Sequence, residues 1–196
     1  EVNNPDCPWG ASYSEEQLRA NALENDAEID RLISLASRFG DILFSVAVGN
    51  EATVDWTDHL VPVRRMIELV RRVKGYTRLP VTFCENYVPW HGKLRDLADE
   101  LDFISLHTYP VWEYKHIDQA LDYTRANYDS VARLYPGKPV VITEAGWTTN
   151  SNGRGIEPHN ASQDLQQAYL RELLRWTDQA GILCFVFEAF DESWKG

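Results

Sequence analysis

Two glutamates in this chain stand where carboxylates can do chemistry. Val140-Val141-Ile142-Thr143 is an apolar, β-branched run that ends in Glu144 and leaves through Ala145-Gly146 to Trp147. Ile42 to Val48 is a second apolar run of strand length, and it ends in Gly49-Asn50-Glu51. A carboxylate at the exit of a buried strand is costly to desolvate without partners, so both positions are candidates for chemistry. They are 93 positions apart (144 − 51). If the strands are parallel, their C-terminal ends share one rim. Two facing carboxyls can then divide the work: one keeps a proton and acts as acid, the other stays ionised and attacks. Retaining glycoside hydrolysis requires such a pair, about 5–5.5 Å apart.

The elements that must position them follow from periodicity and punctuation. Ser14 and Gln17 form a capping box, and Ile29, Leu32, Ile33, Ala36 and Phe39 continue a helix that ends near Gly40. Val63, Ile67 and Val70 mark a second helix, closed by Arg71, Arg72 and Lys74, cations that suit a helix C-terminus. Pro80 to Cys84 predicts a strand that runs into Glu85-Asn86, and a short helix follows over 93–100. Phe103 to Leu106 predicts a strand ending at His107-Thr108-Tyr109. A helical stripe runs from Ile117 to Val131, and Pro136-Gly137 breaks it before Val140. Asn160 and Gln163 predict a second capping box for a helix through Trp176, which Gly181 ends. Ile182 to Phe187 is the last strand and runs into Glu188.

Apolar strands that alternate with helices predict a parallel sheet covered on both faces. No strand is followed by the Gly-rich phosphate loop of a doubly wound nucleotide-binding sheet. Polar residues gather instead at strand C-termini, the pattern of a (β/α)8 TIM barrel. A closed barrel needs eight strands and typically about 250 residues, whereas five strands are predicted here. The expectation is a single catalytic barrel domain over 1–196, N-terminally incomplete and holding strands four to eight. Such a remnant would leave open edges and exposed apolar surface.

Composition narrows the partner. The 196 residues carry a net charge of −11, which argues against nucleic acid, since phosphate binding needs basic surface, and favours an uncharged substrate. No apolar run approaches the roughly 18 residues of a membrane span, so no membrane insertion is expected in this segment. Three cysteines, Cys7, Cys84 and Cys184, make no disulfide framework; Cys84 and Cys184 read as buried thiols in apolar runs. His107 has no second histidine at ligand spacing, so no metal and no cofactor is expected.

Three motifs carry a family resemblance: Val48-Gly49-Asn50-Glu51, Thr143-Glu144-Ala145-Gly146-Trp147, and Phe190-Asp191-Glu192-Ser193-Trp194-Lys195. They resemble the signatures of glycoside hydrolase family seventeen, closest to its bacterial branch. That family holds β-1,3-glucanases and glucanosyltransferases on a (β/α)8 barrel. The resemblance implies Glu51 as acid/base and Glu144 as nucleophile. It implies Asn50 as partner of the sugar hydroxyl beside the anomeric carbon, and Tyr109 as the group that orients Glu144. Glu192 and Lys195 would be a supporting charged pair. The plant members usually carry Ser where Ala145 sits and Pro where Thr148 sits.

Aromatic faces stack on sugars, so Trp9, Trp90, Trp112, Tyr114, Trp147 and Trp194 are candidate subsite residues, Trp112 and Trp147 foremost. Trp176 lies on a helical stripe and reads as core. Glu188 is either a subsite ligand or a satisfied rim carboxylate; Glu85-Asn86 either binds sugar or caps a turn. The resulting expectation is a retaining β-glucan hydrolase acting on an oligo- or polysaccharide. Two alternatives stay open: a transglycosylase that uses the same carboxyls, and a truncated, non-catalytic carbohydrate-binding module. Polymeric glucans are met outside the cytoplasm, so a periplasmic or secreted location is expected. Oligomeric state has no signature.

Overall fold

A computed structural model describes residues 1–150 and 158–190. The expected pair Glu192 and Lys195, and Trp194 beside them, lie outside the described residues. In chain order the elements are β1 (Val2–Asn3), α1 (Glu15–Phe39), β2 (Val46–Asn50), β3 (His59–Leu60), α2 (Val63–Lys74), β4 (Val81–Asn86), α3 (Tyr87–Trp90), α4 (Arg95–Glu100) and β5 (Ile104–Thr108). A 3-10 turn (Pro110–Glu113), α5 (Ile117–Leu134), β6 (Val140–Ala145), a second 3-10 turn (Pro158–Asn160), α6 (Gln163–Ala180) and β7 (Cys184–Val186) complete them. The chain divides into two compact units, Glu1–Ser105 and Leu106–Gly196.

In the first unit, β2 and β4 pair in parallel. Ser14 caps α1 as the capping box predicts: its side chain accepts from Gln17 N, and Gln17 reaches back to Ser14 N at 2.9 Å. α2 buries Met66, Leu69, Val70 and Val73 on one face, each side chain contributing about 1.5–3 kcal/mol. Its basic face meets α1 and the β5 approach. Arg65 and Arg72 share Asp26 at 2.5 and 3.2 Å, and Lys74 reaches Asp102 at 2.8 Å. The strand expected from Ile42 begins only at Val46. Ile42 and Phe44 are 77% and 67% exposed, so apolar character there did not bring burial. Trp90 is a core residue rather than a subsite candidate: it is fully buried, packs edge-on to Phe83, and donates its indole N–H to Ser105 O at 3.1 Å.

In the second unit, β6 and β7 pair in parallel. α5 and α6 meet where Thr124 and Tyr169 share a hydrogen bond of 2.8 Å. The N-cap of α6 is Ser162, whose hydroxyl accepts from Leu165 N at 3.2 Å. Asn160 is not the cap; its amide donates to Lys115 O at 2.9 Å from within the 3-10 turn. Gly181 closes α6 in the left-handed conformation, φ +65°, as glycine allows. Trp176 is half-buried, with Tyr128 edge-on to it and the Arg125 guanidinium over its ring. Cys84 and Cys184 are half-buried and Cys7 is the buried one. Burial still pushes the Cys184 thiol up to about 11, which keeps it protonated. Phe185, Phe187 and Phe190 are exposed.

Candidate active site

Glu51 is placed by an irregularity in β2. The β2–β4 register shifts between Ala47↔Thr82 and Asn50↔Cys84, so β2 carries one residue more than its partner. Such a bulge bends a strand and re-aims its side chains. Gly49 sits inside it at φ +92°, and a Cβ there would lie 3.1 Å from both Met66 and the Phe83 ring. Asn50 is exposed at the strand end. Glu51 follows at φ +45°, a left-handed conformation that a residue with a Cβ seldom adopts. Its N–H donates to Cys84 O at 2.9 Å, which ties the turn to the neighbouring strand.

The loop after Glu51 is held at several points. Ala52 O accepts from Val61 N at 3.0 Å. Thr53 donates its N–H (3.0 Å) and its hydroxyl (2.6 Å) to Glu85 Oε2, while Lys93 Nζ donates to Thr53 O. Asn4 Nδ2 donates to Asp55 O and Thr57 O at 2.8 and 2.6 Å. A cleft of about 390 Å³ opens beside the loop, with Asn50, Glu51, Asp58, His59 and Glu28 among its walls. The Tyr13 hydroxyl donates to Asp58 and holds that carboxyl below its usual range.

Glu85 was expected either to bind sugar or to cap a turn. It is fully buried at the end of β4. Besides Thr53, it accepts from Asn86 N at 2.8 Å. Burial pushes its carboxyl up to about 7, against the opposing pull of the Thr53 and Asn86 donors and with a smaller push from the Glu51 charge. Asn86 turns away as the cap of α3, accepting from Val88 N at 3.0 Å. Thr53 is the residue that sequence reasoning missed here. Its partner is 32 positions away, and no local signal links them.

Glu144 is placed by the same device in the second unit. The β6–β7 register shifts between Ile142↔Cys184 and Ala145↔Val186, so β6 carries the extra residue next to Glu144. Phe187 N donates to Ala145 O at 3.0 Å. Gly146 must be glycine: a Cβ there would sit 1.8 Å from Phe187 O. Tyr109, just past β5, donates its hydroxyl to Glu144 Oε2 and packs edge-on against Phe187. His107 is fully buried in β5, its Nδ1 3.6 Å from the same carboxylate oxygen. Thr108 accepts from Asn127 Nδ2 at 3.0 Å, which fixes the end of β5 to α5.

The aromatic candidates separate. Trp112 is 40% exposed on the 3-10 turn after Tyr109, and Tyr114 is exposed beside it. Trp147 is only 2% exposed; its ring lies against Tyr169 and its indole N–H donates to Asn160 O at 2.8 Å. Its expected contact with substrate therefore gives way to packing: Trp147 anchors the segment that follows Glu144. Glu188 is half-buried.

Parallel βα units, each with a carboxylate at a bulged strand C-terminus, are the pattern of the (β/α)8 barrel class. The model of the BtgE/BtgC glycoside hydrolase domain matches residues 13–196, and the chain belongs to that family. A glucan 1,3-beta-glucosidase of Schizosaccharomyces pombe is 26% identical over 87% of this chain and 56% of its own length. A putative glucan endo-1,3-beta-glucosidase btgC of Aspergillus niger is 27% identical over 91% of this chain and 28% of its own. An active-site mutant of the Rhizomucor miehei beta-1,3-glucanosyltransferase, solved in complex with laminaritriose, superposes with a TM-score of 0.72. It is 25% identical, over 86% of this chain and 63% of that one. The chain thus spans between about a quarter and two thirds of the relatives it matches. Its fold is α/β, of the (β/α)8 TIM-barrel kind.

Proposed function

We propose that the chain carries the catalytic carboxyls of a retaining β-glucan hydrolase acting on β-1,3 linkages. Glu51, protonated, gives its proton to the leaving oxygen while the Glu144 carboxylate attacks the anomeric carbon, so the glycosidic bond breaks as a glycosyl ester forms. Glu51, now ionised, takes a proton from an incoming water. That water displaces Glu144 and restores the β-anomer. Asn50 holds the neighbouring sugar hydroxyl, Trp112 and Glu188 line subsites, and Glu192 with Lys195 supports the acid/base. The observation that carries the reading is the Tyr109 hydroxyl on Glu144 Oε2. A donor aimed at one carboxylate oxygen fixes the orientation of the carboxyl and leaves the other oxygen for attack.

The same proposal places the chain in glycoside hydrolase family seventeen, its bacterial branch, as the C-terminal portion of one barrel domain. The three motifs support that placement. The substrate is an oligo- or polysaccharide met outside the cytoplasm, which makes a periplasmic or secreted location part of the proposal. Among the described residues no helix is long and apolar enough to cross a membrane. A second reading, glucan transfer, has its own support in the named activity of the Rhizomucor miehei neighbour: a sugar hydroxyl then replaces water at the ester.

Laminari-oligosaccharides of one defined length test both. Proton NMR of the earliest product should show the β-anomer; the α-anomer would remove the double displacement. Products only shorter than the substrate mean hydrolysis, and longer ones mean transfer.

A further inference from the structure

We infer that Glu85 is a positioning residue for the acid/base carboxyl of Glu51, acting through Thr53. The inference rests on the retaining reading above and adds a residue to it. Glu85 has no exposed surface, so it cannot itself meet a sugar. A carboxyl is expensive to bury, and an apolar side chain would fill the same space at lower cost. What Glu85 does with its oxygens is specific: Oε2 takes both the N–H and the hydroxyl of Thr53, and Oε1 takes Asn86 N. Lys93 takes the Thr53 carbonyl. Every polar atom of Thr53 is thereby committed, two residues after Glu51.

That clamp matters because of the conformation it follows. Glu51 has φ +45°, which a side chain with a Cβ leaves unless its surroundings hold it there. Its own N–H is fixed to Cys84 O at 2.9 Å, the residue before Glu85. The end of β4 therefore grips the chain on both sides of the Glu51 side chain, at residue 51 and again at residue 53. Releasing the second grip lets the turn relax and the carboxyl swing from its working position. Glu144 has separate holders, Tyr109 and the β6–β7 pairing. The loss falls on proton donation and not on nucleophilic attack.

The test is leaving-group dependence in Glu85→Gln and Thr53→Val. A laminari-oligosaccharide needs its leaving sugar protonated; a 2,4-dinitrophenyl β-laminaribioside does not. Both variants should lose about 10- to 100-fold in kcat/KM on the oligosaccharide, part of the 10²–10⁴ that general acid catalysis supplies. The burst of dinitrophenolate should stay within about twofold of the parent, and added azide should restore turnover after the burst. Thr53→Val keeps the Glu85 carboxyl and the backbone N–H bond to it and removes only the hydroxyl bond, so it carries the test where Glu85→Gln does not fold. Equal losses on both substrates, or no loss on either, overturn the inference. Glu51→Ala is the reference. If it lacks the same split, the acid/base assignment falls. If it shows the split and the two variants do not, only the role of Glu85 falls.

Discussion

At the scale of single residues, the hydroxyl of Tyr109 and the buried carboxyl of Glu85 make the sharpest claims. Tyr109→Phe removes the hydrogen bond to Glu144 and keeps the ring that packs edge-on against Phe187. Such a bond is worth about 1.5–3 kcal/mol, so kcat should fall about 10- to 100-fold with KM near the parent value. Steady-state kinetics on laminari-oligosaccharides measures it, and an unchanged kcat would detach Tyr109 from the chemistry. Glu85 makes a prediction about stability. Its carboxyl holds a proton up to about 7 in the fold, against 4.5 for the free group. Between those values the native state binds more protons than the unfolded one. The stability due to Glu85 is therefore complete below pH 4.5 and is lost as pH rises through 7, by about 3 kcal/mol in total. Among the described residues, the Glu51 charge pushes the group up, and Lys93 is held on the carbonyl of Thr53, the residue that donates to Glu85. Glu85→Gln should be the less stable protein at pH 4, having one acceptor fewer. It should show a flatter slope up to pH 8 in urea midpoints; parallel curves would contradict the account.

At the scale of elements, both carboxyls depend on a bulge with a glycine close by. In β6 the dependence is steric. An added methyl at Gly146 would meet Phe187 O at 1.8 Å, and backbone cannot rotate away as a side chain can. Gly146→Ala should cost about 3 kcal/mol or more, read as a fall in thermal midpoint; a neutral substitution would show that β6 and β7 separate freely. The elements also show what a sequence can and cannot reveal. Ser14, Gln17 and Gly181 were legible because a cap is decided by neighbours within a few positions. The strand ends at Glu51 and Glu144 were legible because apolar runs give way there to polar residues. Ile42 to Phe44 misled, since an apolar run says what can be buried and not whether anything covers it. Asn160 misled because Ser162, two positions on, offered the competing cap. The Thr53–Glu85 clamp and the positive φ of Glu51 had no signature, since each is set by residues far away in the chain.

At the scale of the whole molecule, charge and family membership point the same way. A net charge of −11 gives no electrostatic attraction for anionic polymers, and the neutral glucan proposed as substrate would owe its affinity to hydrogen bonds and aromatic faces. KM for laminari-oligosaccharides should therefore hardly change between low and high salt, because screening acts on charges; a steep rise in KM with salt would mean an ionic substrate. The chain belongs to the BtgE/BtgC glycoside hydrolase domain family over residues 13–196 and matches 63% of a β-1,3-glucanosyltransferase chain. Hydrolysis and transfer in this reading share one intermediate, a glycosyl ester on Glu144, and differ only in what displaces it. Trapping that ester is the most direct measurement. A 2-deoxy-2-fluoro-laminaribiosyl fluoride should inactivate the protein with one equivalent of label. Peptide mass spectrometry should then find the sugar on Glu144, with no label taken up by Glu144→Ala. Label on another carboxylate, or turnover by Glu144→Ala, would contradict the account.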